Sequence, residues 1–274
     1  MRGIDTARLC GFALRGERNS AELFGKNAEE AEALEIGIIG TGVIASAVVR
    51  GLVGRGHRIV VSERSSALSS MLAAEFEDVR VAENQIVLEQ SDVVFLGLMA
   101  EHAAQVLADL TFRPEQQVIS LMAGAALQRV QELVAPAKAV AVMIPFPGIA
   151  LGGSPVMVRG NPTVIERLFG DQNEVFSLPD DAELDAYLSA QAVLSPAVRM
   201  VQDAARWLGA RVQDPAQGEA FLRVLVGSSL LTSETEPLLE ALNTPGGYNA
   251  RLREHMVDAG MSTEMKRGLD KLSE

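Results

Sequence analysis

Gly40, Gly42 and Ala45 stand in a Gly-x-Gly-x-x-Ala spacing, the pattern with which a chain can hold the diphosphate of a dinucleotide. Each position has a physical task. Gly40 permits a tight turn, Gly42 lacks the Cβ that would keep a pyrophosphate off the backbone, and Ala45 lets a helix lie close on a strand. The helix that follows offers unpaired N–H groups and about half a positive charge at its first turn. The backbone of Gly40, Thr41, Gly42, Val43 and Ile44 is therefore the expected phosphate cradle. Its neighbours supply the elements: Ile36 to Ile39 suits a short buried strand, and Val43 to Val49 continues as a helix.

A second polar group, Ser62-Glu63-Arg64-Ser65-Ser66, follows the next apolar run at Ile59 to Ser62, where the adenosine ribose lies in such folds. A carboxylate there accepts hydrogen bonds from a ribose diol and favours NAD, whereas an arginine with serines favours the extra phosphate of NADP. Glu63 and Arg64 pull in opposite directions. His102 comes just after another apolar run; it reads as a proton donor near neutral pH or as a surface residue of a first helical turn. Thr244-Pro245-Gly246-Gly247 reads either as a helix start, with Thr244 as N-cap and Pro245 in the first position, or as a plain turn between helices. Ser195-Pro196 has the same N-cap pattern. Pro145-Phe146-Pro147 is a rigid loop, either flooring a nicotinamide pocket or giving Phe146 to the core.

The elements that must carry these residues alternate from Glu35 to about Pro179. Apolar runs at 59–62, 79–81, 93–98, 118–121, 139–143, 155–158 and 174–178 are separated by helical stretches at 65–75, 85–90, 101–110 and 127–134. Such alternation predicts an α/β fold, a Rossmann-like doubly wound parallel sheet. From Asp181 onward strand signals vanish and helical spacing predicts helices over 182–208, 218–231, 236–242 and 250–272. The expected organisation is an extension over 1–34, disordered or mis-assigned, a nucleotide-binding domain over 35–180, and an all-helical domain over 181–274.

Composition narrows the partners. With a formal net charge of -12 the chain repels nucleic acid and anionic membranes. Its longest apolar stretch, 139–153, contains Pro145 and Pro147 and falls short of the ~20 residues that span a bilayer. The single cysteine, Cys10, forms no intramolecular disulfide, which fits the cytoplasm, and the three histidines show no metal-ligand spacing. The apolar content of the helical domain suits burial against a partner subunit, so a homodimer or higher homo-oligomer is expected.

The order of landmarks resembles the pyrroline-5-carboxylate reductase family, within the 6-phosphogluconate-dehydrogenase-like group, over roughly residues 35–274. The resemblance rests on Ile36-Gly37-Ile38-Ile39-Gly40-Thr41-Gly42, on Ser91-Asp92-Val93-Val94-Phe95-Leu96-Gly97-Leu98, on Val118-Ile119-Ser120-Leu121-Met122-Ala123-Gly124, and on Asn243-Thr244-Pro245-Gly246-Gly247. It implies reduction of a cyclic imine, pyrroline-5-carboxylate, to proline by hydride from NADPH or NADH, and dimerisation through the helical domain. It further implies that Asn84 approaches the adenosine half, and that Gly97, Leu98, Met99 and Ala100 with Met122, Ala123 and Gly124 line the cofactor's path. Thr244, Tyr248 and Asn249 would position the substrate. Arg64 with Ser62 and Ser65 resembles NADP-using relatives, so NADP is the expected cofactor, with NAD possible.

The chain also departs from that family. A Val-Lys-Pro turn is replaced by Leu98-Met99-Ala100, a Met-Pro-Asn-Thr-Pro loop by Met143-Ile144-Pro145-Phe146-Pro147, a glycine-rich helix opening by Leu194-Ser195-Pro196-Ala197, and a Thr-Thr pair by Tyr248-Asn249. Most of these changes fall on the nicotinamide or substrate side. The expectation is thus an NAD(P)H-dependent reductase of pyrroline-5-carboxylate or a related cyclic imine. The alternatives are an oxidoreductase acting on another imine or keto substrate, and a non-catalytic NADP-binding protein.

Overall fold

The computed structural model of the chain describes residues 33–273, so all but the last two residues of the expected 1–34 extension lie outside the described residues. Leu34 packs against the sheet core, and its N–H donates to His57 Nδ1. The chain forms two compact units that divide between Leu188 and Ser189.

The first unit is built on eight strands: β1 (Glu35–Ile39), β2 (Arg58–Ser62), β3 (Val79–Ala82), β4 (Val93–Leu96), β5 (Gln117–Ser120), β6 (Lys138–Pro145), β7 (Pro155–Gly160) and β8 (Glu174–Leu178). They lie in the order β3-β2-β1-β4-β5-β6-β7-β8. Helices α1 (Val43–Leu52), α2 (Ser66–Glu75), α3 (Asn84–Glu89), α4 (Ala100–Leu107) and α5 (Leu127–Val134) make the connections from β1 to β6, and α6 (Thr163–Phe169) joins β7 to β8. Both faces of the central strands are buried, which is why their sequences read as unbroken apolar runs. The period of two assigns them: Ile36, Ile38 and Phe95 point to one core with Val48 and Leu52 of α1, while Ile39, Val94 and Leu96 point to the other with Val130 and Val134 of α5.

The expected doubly wound parallel sheet is present, with one reversal at its far edge. β7 runs antiparallel to β6, and β8 is parallel to β7, so the last two strands oppose the other six. The connection 146–154 is shorter than the dozen or more residues a parallel crossover requires, and the chain turns back. β8 matches β7 because α6 provides such a crossover.

α7 (Asp181–Ala190), most of it still in the first unit, leads into the helices of the second: α8 (Leu194–Gly209), α9 (Pro215–Thr232), α10 (Thr235–Ala241), α11 (Tyr248–Asp258) and α12 (Met261–Leu272). The single helix expected over 182–208 breaks at a 3₁₀ turn, Gln191–Val193. Pro196 in the first turn of α8 explains the break, since its ring nitrogen cannot bond back into a preceding helical turn. Val193, not Ser195, is the N-cap of α8, and no side chain caps it. Likewise the helix expected over 250–272 breaks at Gly260, whose φ of 96° is left-handed. Among the described residues of this unit only Ala205, Gly218 and Ala250 are buried. Large apolar side chains instead face outward, Trp207 at 62% exposure, Val224 at 69% and Leu231 at 72% among them.

Candidate functional site

At the end of β1 the chain enters the turn that the glycine spacing predicts. Gly40 has φ +89°, and a Cβ on it would stand 2.5 Å from the Gly97 carbonyl oxygen at the end of β4. The contact is reciprocal, because a Cβ on Gly97 would meet the Gly40 oxygen at 2.3 Å and the Ala45 Cβ at 2.8 Å. Three residues of minimal size therefore let β1, β4 and α1 converge where the sheet order reverses, the place at which open α/β sheets bind ligands. Gly42 behaves differently. It is the N-cap of α1 in extended backbone, and nothing lies within 4 Å of where its Cβ would be. Its bareness serves no packing inside the protein. α1 has no side-chain cap and no acid in its first turn. Its orphan N–H groups and positive end are thus uncompensated.

Two side chains hold the loop itself: that of Ser62, expected at the ribose, and that of Thr41, whose backbone is expected in the phosphate cradle. Ser62 is fully buried, and its Oγ accepts from the Gly40 N–H at 2.8 Å. Thr41, also fully buried, donates its Oγ1–H to the Ser62 carbonyl at 3.0 Å. The two side chains lock the turn onto the end of β2 and have no surface left for a ribose. Leu98 and Met122 are corrected in the same sense: both side chains belong to the core, and the Met122 N–H donates to Ser120 Oγ at 3.2 Å. Met99, Ala100, Ala123 and Gly124 remain exposed at the carboxyl ends of β4 and β5. His102 is exposed in the first turn of α4, and its backbone N–H donates to the Met99 carbonyl at 3.0 Å. Phe146 packs against the core just past β6.

Glu63, Arg64 and Asn84 come together in one cleft of about 600 Å³, shared with Glu83, Gln105 and Val106. Glu63 and Arg64 lie in the 3₁₀ turn after β2, Asn84 opens α3 after β3, and Gln105 comes from α4 after β4. The side chain of Arg64 makes no ion pair or hydrogen bond among the described residues, whereas Arg50, Arg55, Arg58 and Arg113 all do. Sequence reasoning missed Glu83, Gln105 and Val106. Adjacency to Asn84 was a signal for Glu83; Gln105 had none, since its place follows from the crossover of α4.

In the helical unit, Thr244 does not cap a helix. Its carbonyl accepts from the Gly247 N–H at 2.9 Å, with Pro245 and Gly246 (φ 72°) as the central pair of a β-turn. The turn reading of this motif holds, and α11 starts at Tyr248 with Gly247 as N-cap. Tyr248 is 91% exposed and Asn249 and Thr244 are exposed beside it.

Residues 35–124 match the family model described as NADP oxidoreductase coenzyme F420-dependent. No curated protein matches the chain in sequence. Among solved structures it is similar to the 1-pyrroline-5-carboxylate reductase of Streptococcus pyogenes, at 23% identity over 88% of this chain and 97% of that one, with a TM-score of 0.75. The Plasmodium falciparum pyrroline carboxylate reductase with NADP bound gives 11% identity, the same 88% and 95% of that chain, and a TM-score of 0.72. A reductive aminase from Aspergillus terreus, in complex with cyclohexanone and allyl amine, gives 19% identity, 88% and 90% coverage, and a TM-score of 0.56. The fold is that of the pyrroline-5-carboxylate reductases.

Proposed function

We propose that this protein is an NADP-dependent oxidoreductase that reduces the C=N bond of a small cyclic imine, with pyrroline-5-carboxylate as the first substrate to test. The observation that carries the reading is the open space beyond Gly42, at the uncompensated end of α1. The residues present fit a dinucleotide. The α1 end suits a diphosphate, and the unspent polar groups of the Glu63–Gln105 cleft suit an adenosine with its 2′ substituent. The match of residues 35–124 to an NADP oxidoreductase model supports the same cofactor, with NAD as the weaker partner.

Bound, a reduced nicotinamide supplies hydride to an electrophilic carbon. The chain's own part is positional. Ser62 and Thr41 hold the phosphate-binding turn, Glu63 and Arg64 orient the ribose, and Met99 to Ala100 with Ala123 and Gly124 flank the path of the cofactor. Thr244, Tyr248 and Asn249 are assigned to substrate positioning. A protonated imine is already electrophilic, so no strong protein acid is required, and His102 is at most an auxiliary proton donor.

The exposed apolar residues of the second unit support a homodimer. α9 presents Phe221, Val224, Leu225 and Leu231 on one exposed face, and a groove of about 970 Å³ runs along α8 and α9. Among the described residues no helix is long and apolar enough to cross a membrane; a cytoplasmic location is proposed with it. Purified protein should oxidise NADPH with racemic pyrroline-5-carboxylate, and absence of turnover with both NADPH and NADH would defeat the substrate assignment. The apolar Ile144 and Phe146 by β6, and Tyr248-Asn249, favour a second reading in which another cyclic imine or a ketone is the acceptor. Tight NADPH binding without turnover over an imine and keto-acid panel would instead select a non-catalytic binding protein.

A further inference from the structure

The cleft beside β2 and β3 contains more recognition chemistry than a ribose can use. Five polar side chains line it (Glu63, Arg64, Glu83, Asn84 and Gln105), together with half-buried Val106. None of the five makes a side-chain hydrogen bond or ion pair among the described residues, whereas Arg50, Arg113 and Arg159 are all paired with carboxylates. The acid and the arginine that follow β2 answer to a ribose and its 2′ substituent. Asn84, Gln105 and Glu83 are then left over, and they reach the same space from other elements: Glu83 from the end of β3, Asn84 from the start of α3, Gln105 from α4.

What remains of an adenosine is its base. An adenine edge offers a 6-amino donor beside the N7 acceptor, and a glutamine amide matches that pair with two parallel hydrogen bonds. A carboxylate nearby accepts from an amino group and repels the oxygen of a 6-oxo purine. Val106 gives the base face an apolar support. We infer that Gln105 reads the 6-amino edge of the adenine, with Glu83 excluding 6-oxo purines, so that the protein selects the base as well as the phosphate of its dinucleotide. The inference rests on the dinucleotide reading above and goes beyond it by assigning base specificity to α4.

The test uses fluorescence titration of the full chain with NADPH and with its hypoxanthine analogue, in which oxygen replaces the 6-amino group. The wild-type protein binds NADPH about ten-fold tighter or more, the scale of a bidentate amide–adenine contact. Gln105→Leu weakens NADPH and brings the ratio of the two affinities close to one. Gln105 is exposed on α4, so the variant retains its fold, which circular dichroism checks. Arg64→Ala serves as the contrast: it lowers NADPH affinity relative to NADH and leaves the base ratio in place. A base ratio near one in the wild type, or one unchanged in Gln105→Leu, overturns the inference while NADPH binding persists. Failure of the wild type to bind either nucleotide overturns the dinucleotide reading itself.

Discussion

Gly42→Ala separates folding from binding. A Cβ at this position meets no heavy atom within 4 Å, and the backbone is already extended, at φ -86° and ψ -171°. Alanine is a poorer N-cap than glycine, at a cost of about 1 kcal/mol. Reduced freedom of the unfolded chain returns about 0.4–1 kcal/mol. The net change is under about 1 kcal/mol, so Tm moves by no more than about 4 °C. Binding responds on another scale. The added methyl occupies the space through which a diphosphate reaches the α1 amides, and losing two charge-assisted hydrogen bonds at about 1.5 kcal/mol each weakens NADPH roughly 100-fold. Gly40→Ala gives the opposite pattern, since φ +89° and a 2.5 Å approach to the Gly97 oxygen strain the folded protein itself. That substitution costs about 3 kcal/mol or more, from left-handed backbone and overpacking together. Paired thermal melts and NADPH titrations read both. A Gly42→Ala protein that binds NADPH like the wild type would refute the assignment of this opening to a phosphate.

Ser62→Ala leaves the buried Gly40 N–H without its acceptor, so stability falls by about 1–3 kcal/mol and NADPH affinity falls with it; denaturant melts and titration check the pair. His57 is buried, and desolvation lowers its pKa, helped by the positive charges of Arg167 and Arg55. The unfolded chain therefore binds the proton more readily, so the stabilisation is complete above about pH 6.5 and is lost as pH falls below it toward the native pKa. Tm measured from pH 7.5 to 5 should drop less steeply in His57→Asn, which keeps an acceptor for the Leu34 N–H; equal slopes would exclude the role. Val224→Lys places a charge on the exposed apolar side of α9 and should convert the proposed homodimer to monomer in light scattering; an unchanged mass would remove α9 from the interface.

The turn after β1 was legible because its demands are local: a glycine spacing, an apolar run before it and a helical run after it. Ser62 was misassigned for the converse reason. Its type suits a phosphate, but only the folded chain shows that its Oγ is taken by the Gly40 N–H. Gln105 was invisible because it lines the same cleft as Glu83 only through topology, and no pattern along the chain links the two. The reversal at β7 had a signal in the length of 146–154, since apolar periodicity carries no strand direction. Pro196 and Gly260 likewise marked the helix breaks at 191–193 and 259–260. Apolar spacing located the helices of the second unit, and their apolar content already pointed to side chains left uncovered within one chain.

That unit encloses nothing larger than an alanine methyl among its described residues. Groups so small release too little water-ordered surface to offset the loss of chain freedom in five or more helices. In the proposed homodimer its persistence becomes a matter of mass action, with protein concentration entering the folding equilibrium itself. For such a dimer, dilution should loosen the helices as the chains part, and the midpoint of thermal unfolding should climb as more protein is added.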